Sequence, residues 1–199
     1  DRAAVEGAFG KALAALDGVG PEGLSRLPDV DDPVTAAAMH IQIRLSPAAY
    51  FGRPMLLPLI ASNLVFTSVE RGLSPATPYA LALFGIVLNT VGMYPQAHAW
   101  GQLAVELQSR WDDERLVAAS RHVVFNLVCT WMEPLHTILD PLREVFEIGR
   151  RTGDFEYASY AAHGWTHHAL YAGRPLGPLR DEAFELGAHG VPHTVIADN

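Results

Sequence analysis

Cysteine is almost missing from this chain of 199 residues: Cys129 is the only one. That excludes a disulfide framework and any metal site built from several thiolates of the chain. Cys129 lies in the apolar run 126–131, so it reads as an inert buried thiol and not a nucleophile, and a reducing, cytoplasmic setting fits. Lysine is equally scarce, with Lys11 alone among arginines. Charged residues make up only 18%, and the net charge of −8 leaves no basic stripe to replace phosphate counterions, which excludes nucleic acid as a partner. No run of 18 or more apolar residues escapes interruption by charge or proline, so no membrane span is expected; the nearest case, 78–91, is too short and reads as a buried helix. Also missing are a phosphate loop ending in Lys-Ser/Thr, a kinase His-Arg-Asp loop and a Gly-x-Ser-x-Gly elbow. Two-residue apolar alternation is absent as well, so no strand is expected.

What the chain does have is apolar surface and helical spacing. Hydrophobic residues make up 49% and the mean hydropathy is +0.12. This suffices for one domain or a short solenoid. Either an Ala- and Leu-rich helical fold explains the value, or some apolar surface meets a partner or neighbouring domain. An Ala-rich helix over 2–16 is stopped by Gly18-Val19-Gly20-Pro21, and a connector rich in proline and acid follows. Asp32-Pro33 then opens a helix, the acid as N-cap and the proline at N1. Helices are expected over 33–45, 54–71, 76–91, 95–110, 114–132, 135–151, 155–172 and 176–188, each ended by Gly, Pro or a charged turn. Leu116, Ser120, Val123, Leu127 and Trp131 fall on one stripe. The fold class is therefore all-α, with about eight to nine helices. The expected organisation is an N-terminal helix (1–20), a connector (21–32), one helical-repeat domain (33–190) and a tail (191–199) leading into a further C-terminal part. Because the chain opens on Asp1, with neither an initiator Met nor a signal peptide, it is expected to be a piece of a longer protein.

Self-similarity sharpens this reading. Val105, Glu106, Leu107, Arg110 and Asp113 recur about 41 residues later as Phe146, Glu147, Ile148, Arg151 and Asp154, and Leu64, Phe66 and Arg71 fall under Leu103, Val105 and Arg110. Periods of this size belong to stacked antiparallel helix hairpins that bury their apolar faces on one another. The unit from Leu81 to Ala104 resembles a tetratricopeptide repeat (TPR), with Phe84-Gly85, Leu88, Gly92, Tyr94, Ala97 and Ala104 in the places of that pattern. One unit on, Phe125 and Leu135 fit, whereas Asn126 and Glu133 replace the two glycines. A TPR-like α-α superhelix is the expected architecture.

At Leu45-Ser46-Pro47-Ala48-Ala49-Tyr50 and at Gly153-Asp154-Phe155-Glu156-Tyr157-Ala158-Ser159-Tyr160, the chain resembles a family of large bacterial hybrid signalling proteins. Each joins a serine/threonine kinase-like domain, an AAA-type ATPase, a TPR-like helical region, a GAF domain and a sensor histidine kinase. The order of segments over residues 27–183 is similar to that of the helical region. The resemblance implies a location between ATPase and sensor-kinase modules. It carries over no ATP-binding or phosphoacceptor residue, because none has a matching position.

Nine histidines raise the question of metal. In His163-Gly164-Trp165-Thr166-His167-His168, His163 and His167 share a helix face, half of a zinc site. Asp154 and Glu156 sit too far along the helix to complete it, and His122 or His136 would join only through tertiary contact. The glutamate of a His-Glu-x-x-His helix is missing, so the histidines read as packed seam residues with Tyr160, Trp165 and Tyr171 around them, and neither metal nor cofactor is expected. The helix A positions that line the inner groove of tetratricopeptide units map onto Tyr79, Ala82, Ile86, Asn89 and Thr90. One period on they map onto Ser120, Val123, Leu127, Thr130 and Trp131, and then onto Ala161, Gly164, His168, Tyr171 and Ala172. Such a mixture of aromatic, apolar and hydroxyl groups suits a protein or peptide partner, or a neighbouring segment of the same chain. The expected function is a non-catalytic scaffold or partner-binding segment of a signalling kinase. The alternatives are a small-effector sensor that gates flanking domains, and a metal-dependent enzyme built on His163 and His167.

Overall fold

The computed structural model describes residues 2–190. Among them the chain is all-α: α1 (Arg2–Ser25), α2 (Pro33–Gly52), α3 (Leu56–Arg71), α4 (Thr77–Thr90), α5 (Tyr94–Leu107), α6 (Val117–Val123), α7 (Leu139–Thr152), α8 (Phe155–Tyr171) and α9 (Leu176–Gly190). No strand occurs among the described residues; the nearest thing is an isolated parallel bridge between Asp29 and Leu73. The tail expected over 191–199 lies outside the described residues. None of the described helices is long and apolar enough to cross a membrane.

The chain divides into two compact units, 1–112 and 113–199. The boundary falls inside the 33–190 segment expected to be one domain, where α5 runs out through a 3-10 turn at Gln108–Arg110.

In the first unit, α3 packs on α1, α2 and α4, and α4 packs on α5. All of α4 except Ile86 and Thr90 is buried, which explains its nearly unbroken apolar sequence. The α4–α5 turn closes on Gly92, at φ 79°. There the amide of Met93 reaches Leu88 O (3.0 Å) and that of Gly92 reaches Asn89 O (3.1 Å), so the last carbonyls of α4 are capped in a Schellman turn. Asp32 opens α2 as expected, accepting from the amides of Val34 and Thr35 (both 3.1 Å) with Pro33 behind it.

Two helices run further than their punctuation suggests. Continuing from Arg2 to Ser25, α1 takes a kink at Gly20, which adopts φ 65° and lets Pro21 start a fresh turn without losing a hydrogen bond it cannot make. Helix α2 passes through Pro47 to Gly52. Proline offers no N–H to the carbonyl of Ile43, but Ser46 Oγ donates to that oxygen at 2.7 Å, so the buried acceptor is satisfied and the helix survives. What remains of the 21–32 connector is 26–32, pinned by Arg110. Its guanidinium donates to Ser25 O (3.0 Å) and Leu27 O (2.8 Å) and pairs with Asp29 (2.9 Å).

The second unit packs α6 on α7, α7 on α8 and α8 on α9, around Leu142, Val145, Phe146, Ala158, Ala161, Trp165, Leu179 and Leu186. The period noted in the sequence has a structural meaning here. Asp113 accepts from the Arg115 amide (3.0 Å) and Asp154 from the Tyr157 amide (3.3 Å), so the recurring aspartate is a helix cap in both copies. The recurring arginines make ion pairs, Arg110 with Asp29 and Arg151 with Glu114.

Candidate functional site

The expected helix over 114–132 changes its winding three times. A 3-10 turn (Glu114–Leu116) leads into α6, a π-helical stretch follows at Val124–Val128, and a 3-10 turn closes it at Cys129–Trp131. A π stretch accommodates an extra residue in a helical turn and marks functional or strained positions. Here it coincides with Asn126, the residue standing where the preceding repeat has Gly85.

Asn126 is given room from the opposite helix. A Cβ built on Gly164 of α8 would lie 2.2 Å from Asn126 Oδ1, so no residue larger than glycine fits beside that amide as it stands. The same Oδ1 is 2.9 Å from His168 Nε2. An amide oxygen can only accept, so Nε2 carries the proton and Nδ1 of His168 is left as a lone pair. That Nδ1 is buried and meets no hydrogen-bond partner among the described residues. Burial lowers the pKa of His168, against the raising effect of its bond to Asn126, and His167 lowers it further.

His122, on α6, completes the seam. Only 6% exposed, it packs against the rings of Tyr157 and Tyr160, with centroids at 5.7 and 5.8 Å, and those two rings pack edge to face on each other at 5.7 Å. Its Nδ1 also has no partner among the described residues. Burial first, then the neighbouring His168 and His163, push its pKa down to about 4, so it is neutral at pH 7. Tyr160 donates to Glu156 at 3.1 Å. On the outer side of α8 the exposed His163 and His167 pack ring against ring, 4.2 Å between centroids. Trp165 anchors the helix from the other side: the guanidinium groups of Arg143 and Arg174 lie 5.2 and 5.3 Å from its ring, and both pair with Glu182 of α9.

The groove positions expected from the repeat pattern are distributed unevenly. In the first unit, Tyr79 and Asn89 are buried, and the Tyr79 hydroxyl lies 3.3 Å from Ser46 Oγ, linking α2 and α4, so Tyr79 serves the core; Ile86 is half-buried. In the second unit, Ser120 and Val123 are buried, and Ser120 Oγ donates to Leu116 O of its own helix. Thr130 and His168 are half-buried. Trp131 (58% exposed) and Tyr171 (73%) face solvent. Burial therefore withholds Tyr79, Asn89, Ser120 and Val123 from a partner docking on this surface. Asp154 is used as the α8 cap and Glu156 by Tyr160, away from the His163–His167 pair. His136 is exposed on the 3-10 turn Leu135–Ile138. Cys129 is a buried thiol that forms no disulfide.

Sequence reasoning missed the Asn126–His168 bond and the packing of His122 against two tyrosines. The available signal was an asparagine at a glycine position of the repeat. Between α7 and α9 there is also an open depression of about 450 Å³, lined by Arg143, Phe146, Glu147, Arg150, Glu185 and Leu186.

No protein-family model matches the chain, and no solved structure matches it. Among curated proteins, it is 23% identical over 163 residues to the hybrid signal transduction histidine kinase G of Dictyostelium discoideum. The alignment takes in 79% of this chain and 4% of that protein, so the chain spans only a small part of its relative's length. The likeness is thus to a signalling histidine kinase, one from outside the bacteria.

Proposed function

We propose that this chain is a non-catalytic helical scaffold of a multidomain signal-transduction kinase, its hairpins TPR-like and its exposed faces holding a protein or peptide partner or a neighbouring domain. The observation that carries the reading is the alignment of most of an all-α chain with a short stretch of a hybrid histidine kinase. Support also comes from the recurrent capping aspartates Asp113 and Asp154, a repeat hallmark, and from the exposed aromatic side chains of Trp131 and Tyr171. The parent would carry its kinase-like, AAA-type ATPase and GAF modules elsewhere, in the cytoplasm.

The genomic sequence on either side of this stretch is the first test: kinase or ATPase motifs there support the reading, and their absence defeats it. For the purified chain, no turnover of ATP or of a model ester is expected, and turnover of either would overturn the non-catalytic role. Against the flanking segments, Trp131→Ala and Tyr171→Ala are expected to weaken binding by about tenfold, the scale of an interface anchor. A second reading, a small-effector sensor, draws on the two buried imidazole nitrogens of His122 and His168 that have no partner among the described residues.

A further inference from the structure

We infer that His163 and His167 form a two-imidazole chelate on α8 for a borderline transition-metal ion such as Cu²⁺, Ni²⁺ or Zn²⁺. The pair lies one turn apart on one helix face, with ring centroids at 4.2 Å and both side chains exposed. Spacing alone leaves the tautomer open, but the structure decides it. His167 Nδ1 lies 3.0 Å from the carbonyl oxygen of His163. A carbonyl only accepts, so Nδ1 holds the proton and Nε2 keeps its lone pair, the arrangement by which a backbone carbonyl orients a metal-binding histidine.

The helix beneath is held still. Ala161, Gly164, Trp165 and Ala169 are buried on its inner side, and the cations of Arg143 and Arg174 lie over Trp165. The ligand face is therefore presented by a packed element and not by a loop, which limits the ordering entropy that binding must overcome. Among the described residues the pair belongs to no larger cluster of His, Cys, Asp and Glu ligand atoms. The ion would take two nitrogens from the protein and complete its shell with water or with a group brought by a partner. Two imidazoles without thiolate or carboxylate select by the Irving–Williams order, Cu²⁺ ahead of Ni²⁺ and Zn²⁺, and leave Mg²⁺ unbound. This inference stands independently of the scaffold reading.

The test is calorimetric titration of the tag-free full chain with CuCl₂, NiCl₂, ZnCl₂ and MgCl₂ in turn. One Cu²⁺ per chain is expected, with Ni²⁺ and Zn²⁺ weaker and Mg²⁺ silent. His163→Asn and His167→Asn should each weaken binding by at least about tenfold, since even outer-shell partners of metal ligands cost 10–100-fold. His136→Asn should change nothing. Failure of Cu²⁺ to bind, or binding that survives the double replacement, overturns the site. Long-range ¹H–¹⁵N correlation on the metal-free chain is an independent reading: the Nδ1–H tautomer at His167 supports the site, and the Nε2–H tautomer overturns it.

Discussion

The two units solve the problem of buried polar groups differently. In the first, the buried polar side chains are mainly hydroxyls, bonded both within their own helix (Ser46 to Ile43 O, Ser68 to Leu64 O) and between helices (Ser46 with Tyr79, Ser68 with Thr77). Such groups have no charge to gain between pH 4 and 8. The second unit buries an imidazole, His122, whose Nδ1 finds no partner among the described residues, beside a His168–Asn126 bond that spans two helices. A buried hydroxyl depends on its neighbours for a partner but not on pH. A buried imidazole depends on them and on pH.

The strongest way to break the comparison is to remove a large buried ring from each core. Phe84→Ala in the first unit and Trp165→Ala in the second should each cost about 3–5 kcal/mol, read by chemical denaturation with residue-resolved hydrogen exchange to locate the loss. If both changes abolished protection throughout the chain equally, the division into units would not describe its energetics.

Acid comes next. His122 titrates near 4 when folded and near 6.5 when unfolded, so between those values the unfolded state binds more protons. Its contribution to stability is therefore complete above pH 6.5 and is lost as pH falls toward 4, by at most about 3 kcal/mol. The lowered pKa of His168 adds in the same direction. Exchange protection, corrected for intrinsic rates, should fall in α6 and α8 over this window and hold in α4. His122→Phe should flatten the dependence; an unchanged slope would refute the assignment to His122.

Crowding the seam is a smaller perturbation. Gly164→Ala places a methyl group against Asn126 and should cost about 1–3 kcal/mol, partly recovered in the double variant with Asn126→Gly. Additive losses would show that Asn126 does not fill the space beside Gly164. The smallest effect sharpens what the units share. Asp154→Ala should cost about 1 kcal/mol through its lost cap, and Asp32→Ala should destabilise in the same direction, both measured as shifts in thermal midpoint.

Much of this was legible from residues alone because the signals are local. Asp32-Pro33, Gly92, Asp113 and Asp154 act within one helical turn, where a side chain or a left-handed glycine meets nearby backbone groups. The all-α class follows from spacing, and the period of about 41 residues from the recurrence of Val105, Glu106, Leu107, Arg110 and Asp113 as Phe146, Glu147, Ile148, Arg151 and Asp154. Pro47 and Pro21 misled for a physical reason. A proline's cost depends on whether the orphaned carbonyl finds another donor and the chain another conformation, which Ser46 and Gly20 supply.

Composition and periodicity by themselves determined that this chain is helical, that Asp32 caps a helix and that Gly92 turns one helix into the next, whereas His163 and His167, expected to pack in a seam, are exposed. Only tertiary structure decided which histidines are buried, that Asn126 meets His168 over Gly164, and that the chain divides at 112. Helix formation is governed by groups three and four residues apart, whereas burial and tautomer are set by groups some forty residues away that only packing brings together.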